Sequence, residues 1–223
     1  MKLDRVTLVC VAGTKAKESL EAMKYSMQSI QFSAAKLITP EDLTDPDVEI
    51  VKCEPLNYEQ YNHFIVYRLH EYVDTSHALV VQNDGYVVNP EEWSDQFLEY
   101  DYIGAPWPMP QDDFSFRDPL GNIQRVGNGG FSLRSKKILE AAKQLNLEWK
   151  PYFGFYHEDG FFSCHHRQDY EKIGCKYAPM EVAVKFSHET DIPENQGITP
   201  FGFHGRNNFY YFTTQRLMKH KHI

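Results

Sequence analysis

Short, unbroken apolar runs alternate with segments of helical period along the first part of the chain. Arg5-Val6-Thr7-Leu8-Val9-Cys10-Val11 has the continuous apolar character of a strand buried on both faces. The loop Ala12-Gly13-Thr14-Lys15 follows, and Leu20, Met23, Met27 and Ile30 then recur on one face of a helix. Residues 35–39 and 49–53 read as further strands, separated by an acidic turn over 40–47. Tyr61, Phe64, Ile65, Leu69 and Tyr72 keep helical spacing and deliver the chain into Ala78-Leu79-Val80-Val81, another buried strand. Strand, helix and strand in that order predict a mostly parallel sheet flanked by helices.

Beyond Asp84 the pattern loosens. Trp93, Phe97, Tyr102, Trp107, Phe114 and Phe116 are mixed with Pro106, Pro108 and Pro110, which predicts a loop-rich, partly antiparallel section. Residues 131–134 read as a short strand, and Ser135 as the N-cap of a helix to 145 with Ile138, Leu139, Ala142 and Leu145 inward. A helix is predicted over 161–170, one or two strands over 177–186, and a basic, His-containing tail after Gly205. No internal repeat or low-complexity linker interrupts the pattern, so one α/β domain over residues 1–223 is expected.

With 42% hydrophobic and 14% aromatic residues, 223 residues are ample for a packed core. The formal charge of -8, from 31 acidic against 23 basic side chains, disfavours nucleic acid and anionic membrane surfaces as partners. No run approaches the roughly 18 apolar residues of a spanning helix. Met1-Lys2-Leu3-Asp4-Arg5 also lacks the apolar core of a signal peptide, so the cytoplasm is the expected compartment. Cys10, Cys53, Cys164 and Cys175 have no paired spacing and read as reduced structural thiols.

Four features carry candidate chemistry. Val81 gives way to Gln82-Asn83-Asp84-Gly85, which places the Asp84 carboxylate at the carboxyl edge of a buried strand, where open α/β sheets collect ligands. Gly85 is expected to let the backbone turn sharply behind it. Asp84 alone reads equally well as a turn former. Glu158-Asp159 puts adjacent carboxylates at a helix start, either as dipole-stabilised caps or as a general base and its neighbour. Gly127-Asn128-Gly129-Gly130 permits positive φ and close backbone approach to a ligand, but lacks the Lys-Ser/Thr ending of a phosphate loop. His204 lies between Gly202 and Gly205 in an aromatic setting, with little steric cover expected around its ring.

Taken in order, the GNGGFSLRS, EDGFFS and FGFHG segments behind a strand that ends in Asp84 resemble nucleotide-sugar glycosyltransferases of the GT-A fold. The stretches 81–86, 102–107 and 127–135 are similar to a family of largely uncharacterised bacterial and viral GT-A-like proteins of unknown function. The resemblance implies a single GT-A-like, Rossmann-related domain: a mostly parallel central sheet, flanking helices and a small antiparallel portion. It implies a metal-dependent hexosyltransferase of polysaccharide biosynthesis, moving a sugar with inversion from a nucleoside-diphosphate donor to a glycan or glycoconjugate acceptor. Asp84 matches the last Asp of the family's Asp-any-Asp motif, and His204 its second ligand for Mn²⁺ or Mg²⁺, whereas Gln82 stands where the first Asp is usual. Asp159 is implied as the base, with Glu158 its partner at the acceptor or donor sugar, although the reverse assignment stays open.

The same resemblance places the nucleotide over Val11, Ala12, Gly13, Thr14 and Lys15, with Gln82 and Asn83 beside it. Asn128, Gly129 and Gly130 would hold the donor sugar, Trp107 would offer an aromatic platform, and Lys185 and Arg206 would reach the diphosphate. Two other classes compete. A nucleotide-sugar or glycan-binding module would keep the fold without catalysis, which the departure at Gln82 allows. A metal-dependent phosphohydrolase would use Asp84, Glu158, Asp159 and histidines, but calls for more clustered carboxylates.

Overall fold

The computed structural model describes residues 1–152, 154–205, 207–208 and 211–212; Arg206 and the basic tail lie outside the described residues. Its centre is a six-stranded sheet in the order β3-β2-β1-β4-β7-β6. These strands are β1 (Lys2–Val11), β2 (Gln31–Thr39), β3 (Glu49–Lys52), β4 (His77–Val81), β6 (Tyr102–Gly104) and β7 (Phe131–Ser135). The first four are mutually parallel, and β7 runs antiparallel to both β4 and β6. A second sheet of three short strands sets β5 (Gly85–Val87) and β8 (Ser187–His188) on either side of β9 (Gly202–His204).

Alternation along β1 divides the core. Leu8 and Cys10 face one side with Met23 of α1 (Ala16–Met27) and Val182, Ala183 and Phe186 of α6 (Met180–Phe186). Val9 and Val11 face the other with Phe64 and Ile65 of α2 (Tyr58–Tyr67) and Ile138 and Leu139 of α3 (Lys136–Gln144). From Val6 to Val11 the strand is covered on both faces and buried at every position, which is why that stretch shows no polar alternation. Two of the long helices, α2 and α3, start on a side-chain cap. Asn57 and Gln60 form a capping box for α2, and Ser135 Oγ accepts from the Ile138 amide at 3.1 Å.

Three expectations are corrected. Of residues 177–186, read as one or two strands, 180–186 form α6 after Pro179, because helical spacing turns Val182, Ala183 and Phe186 onto the sheet together. Ile30 is buried but lies past the end of α1. The helix expected over 161–170 is broken: α4 (Glu158–Gly160) runs into a π-helical turn, Phe161–His165, before α5 (Arg167–Lys172). Such π turns add a residue to the ladder and re-aim the side chains beside them.

Candidate active site

The carboxyl ends of β1 and β4 open onto a cavity of about 400 Å³. Val11, Ala12, Gly13 and Thr14 line it together with Gln82 and Asn83, as the sequence reading groups them. Leu56, Asn57, Tyr58 and Tyr61, at and before the start of α2, complete it. Gln82 donates from Nε2 to the Tyr61 hydroxyl at 2.9 Å, so the amide in the place of the usual Asp is held by an aromatic side chain. A Cβ at Gly13 would lie 2.7 Å from the Leu56 carbonyl, and glycine there lets the wall close. Exposed Lys15 is the left-handed N-cap of α1, and its charge helps lower the Asp84 pKa. The α1 N-terminus is not bare, since the Ala16 amide donates to Glu41 Oε1 at 3.3 Å.

Asp84 sits in the turn between β4 and β5, and β9 brings His204 against it. His204 Nε2 lies 3.3 Å from Asp84 Oδ1 and its Nδ1 3.0 Å from Glu189 Oε1. Burial disfavours the charged ring, but hydrogen bonds to the two carboxylates outweigh it and raise the imidazole to about 9. The hydrogen bond from His204 in turn lowers the Asp84 pKa against the effect of burial. Glu189, which the sequence reading missed, also accepts from Asn128 Nδ2 at 2.6 Å.

The glycine-rich segment serves close packing, not positive φ. None of Gly127, Gly129 or Gly130 has positive φ, and neither does Gly85, which is required because a Cβ there would come 2.6 Å from the Gly130 carbonyl. A Cβ at Gly130 would collide with the His204 ring, and one at Gly129 with the Glu158 carboxylate. Asn128, Gly129 and Gly130 are buried and form the partition on which the two carboxylate centres rest. Gly202 likewise makes room for the Phe131 ring; steric cover around His204 is therefore substantial.

On the far side of this partition, Glu158 and Asp159 have opposite surroundings. Glu158 is 4% exposed and pairs with fully buried Arg134, Oε2 to Nη1 at 2.6 Å. The Arg134 guanidinium also lies over the Tyr102 and Phe162 rings, and its Nε donates to Ser132 at 3.0 Å. Asn62 Oδ1 accepts the Glu158 amide at 2.8 Å, tying α4 to α2. Among the described residues, Asp159 has no cation at hydrogen-bonding distance. It lines a second cavity of about 470 Å³ with Trp107, Phe114, Phe116, Tyr152 and Phe155. Burial, then the Glu158 charge, push its carboxyl up to about 7. Trp107 is only 8% exposed and stacks on Phe116 with ring centroids 4.5 Å apart.

The two cavities adjoin where the Tyr58 hydroxyl meets His157 Nδ1 at 2.8 Å, Tyr58 lining the first and His157 the second. Arg134 could have been found as the one cation inside the buried run Phe131–Ser135, whereas nothing local in the sequence marks Glu189. Lys185, on α6, lines neither cavity. All four cysteines are free.

The fold has a counterpart of known structure. The chain is similar to a protein described as "a glycosyltransferase involved in the glycosylation of the major capsid of PBCV-1". The likeness covers 94% of this chain and 98% of that one at a TM-score of 0.50 and 15% sequence identity. It establishes the glycosyltransferase-like fold. A family model matches residues 48–204, and the chain belongs to that family, DUF5672, described as a protein of unknown function. The match includes Asp84, Asp159 and His204 but begins after the loop that follows β1. No curated protein matches the chain.

Proposed function

We propose that the protein transfers a sugar from a nucleoside-diphosphate donor to an acceptor hydroxyl, with inversion at the anomeric carbon. The observation that carries this reading is Asp159: a carboxyl raised to about 7, lining an aromatic cavity beside a second cavity at the carboxyl edge of the sheet. A base poised near neutrality can be ionised and still take a proton with useful driving force. Glu158, sealed against Arg134, is not free for that work, which favours Asp159 of the two.

The nucleotide occupies the cavity of Val11, Ala12, Gly13, Thr14, Gln82 and Asn83, with Lys15 facing its phosphates. Tyr58 and Tyr61 supply flat walls for the base. Asp159 accepts the acceptor's proton as the hydroxyl oxygen attacks the anomeric carbon from the face opposite the diphosphate. The described residues contain no group of three or more His, Cys, Asp and Glu arranged to hold an ion. Asp84 and His204 would hold a substrate-completed Mn²⁺ or Mg²⁺ on the carboxylate oxygen and Nε2 once the ring, protonated between Asp84 and Glu189, releases its Nε2 proton; Glu189 behind Nδ1 is then the usual support of a metal-binding imidazole. When bound, such an ion supplies Lewis-acid neutralisation of the departing diphosphate.

A screen of nucleotide sugars by thermal shift, with and without Mn²⁺, identifies the donor. With that donor, Asp159→Asn should retain nucleotide affinity while turnover falls at least about 100-fold, the range of a general base. Full turnover by Asp159→Asn would defeat the assignment.

A further inference from the structure

We propose that the acceptor is an aryl alcohol, its hydroxyl carried on an aromatic ring, in place of the glycan that the family resemblance implies. The inference rests on the glycosyl-transfer reading and concerns the Asp159 cavity. That space, about 470 Å³, suits one or two fused rings. Its walls are flat. Trp107 and Phe116 stack with planes 14° apart, Tyr152 stacks on His165 with centroids 3.5 Å apart, and Phe114 and Phe155 stand 49% and 61% exposed.

Several of the polar atoms that a sugar's hydroxyls would need are turned to the protein, with Arg117 Nε left buried and without a hydrogen-bond partner among the described residues. Ser115 Oγ donates to Asp112 at 2.7 Å, Arg117 Nη1 to the Gly121 carbonyl at 3.0 Å, and His157 Nδ1 is engaged by Tyr58. His165 is pushed down to about 4 by burial and offers no charge. A pyranose would bring several hydroxyls into this space, each weakening binding by about tenfold if left without a partner. An aryl alcohol brings one, and Asp159 accepts its proton. A phenolic hydroxyl, at about 10, is also a far stronger acid than a sugar hydroxyl and so better matched to this base.

The wall is built, not incidental. Phe116 holds φ at 55°, a left-handed conformation that is unfavourable for a bulky side chain. The next turn is knotted around buried Asp118, whose carboxylate accepts from the Leu120 and Asn122 amides at 2.9 Å and from Asn122 Nδ2 and Gln124 Nε2 at 3.0 and 3.1 Å. Strain retained beside a cavity is a mark of function. In the reaction the phenolic oxygen bonds to the anomeric carbon, the bond from that carbon to the diphosphate oxygen breaks with its electron pair leaving on the diphosphate, and the proton passes to Asp159.

The test uses the full chain with Mn²⁺ and UDP-, GDP-, ADP- and dTDP-hexoses. Acceptors are 4-nitrophenol, a tyrosine-containing peptide and neutral disaccharides, with products read by mass spectrometry. Calorimetry measures 4-nitrophenol and nucleoside diphosphates binding separately. The expected result is an aryl glycoside, with Phe116→Ala and the surface variant Phe114→Ala raising acceptor KM about tenfold while nucleotide affinity is unchanged. Product on 4-nitrophenol or on the peptide separates a small phenol from a tyrosyl acceptor, and either supports the inference. Transfer to disaccharides alone, or no aryl glycoside from either phenolic acceptor, overturns the inference and leaves glycosyl transfer standing. Bound 4-nitrophenol without binding of any nucleoside diphosphate overturns the glycosyl-transfer reading and the acceptor role with it.

Discussion

Replacing Asp159 with Asn should stabilise the fold above neutral pH and do so less and less as the pH falls. The wild-type carboxyl is held at about 7, whereas an ordinary aspartate titrates at 3.8. At 1.36 kcal/mol per unit this is about 4 kcal/mol as an upper limit, and the solvent-facing mouth of the cavity reduces it to nearer 2 kcal/mol. The sign follows from linkage: with the folded pKa raised, the folded state binds more protons than the unfolded between pH 3.8 and about 7, so stability declines with rising pH across that window. Asn does not titrate, and its carbonyl can still accept the Gly160 amide that Asp159 Oδ1 accepts at 2.7 Å. The gap between variant and wild type should therefore be below about 1 kcal/mol at pH 4 and reach its plateau by about pH 8. For a chain of this size a 2 kcal/mol gap moves Tm by about 4–8 °C. Thermal melts of both proteins at pH 4, 6, 7 and 8 measure it, the pH trend being the diagnostic quantity. A gap that is the same at pH 4 and pH 8 would refute the raised carboxyl.

The remaining predictions test the neighbouring groups. If Asp159 must be ionised to act, kcat/KM for transfer should rise about tenfold per pH unit below an inflection near 7 and level off above it; a rate independent of pH between 5.5 and 8 would contradict the base. Arg134→Met strands Glu158 in the core and should cost about 3–5 kcal/mol in urea unfolding, most of it recovered in the double variant with Glu158→Gln. Asp84→Ala should abolish the Mn²⁺-dependent part of nucleotide-induced stabilisation, which in the parent is about 2.7 kcal/mol at a hundredfold excess over Kd; an undiminished thermal shift would exclude Asp84 as the ion's anchor.

Much of the sheet is legible in the sequence because burial on two faces leaves a local trace. The runs that contain Val9 and Val80 are almost wholly apolar and became strands near their expected bounds, whereas the strand that holds Leu37, with Lys36 beside it, begins four residues earlier, at Gln31. Residues 180–186 misled because a short helix with β-branched residues on its buried face looks like a strand until the sheet it covers is known. The break after Gly160 is equally hidden, since the π turn answers to packing of Phe161 and Phe162 in the core on the α2 and α3 side of the sheet. Within the site, the segments that hold Asp84, Gly127, Asp159 and His204 could be marked because carboxylates, glycines and histidines are conspicuous among apolar residues. What the glycines do could not be read. Gly129 and Gly130 look like ligand-facing positions, but their neighbours are Glu158 and His204, brought from 29 and 74 residues away by the fold.

Two adjacent carboxylates of the same helical turn are thus given opposite surroundings. Glu158 receives a buried guanidinium, and the ionised pair becomes a fixed feature of the core. Asp159 receives the apolar cavity and the unpaired repulsion of Glu158, so its proton is held until near neutrality. Arg134 therefore acts on the reaction at one remove: it holds in place the Glu158 carboxylate whose charge raises Asp159. Neutralising both members of the pair should lower the Asp159 pKa, because the Glu158 charge raises it more than the Arg134 charge lowers it. The acid limb of the activity profile would then move to lower pH in the Arg134→Met, Glu158→Gln double variant. A purely structural pair would reduce the rate without moving that limb.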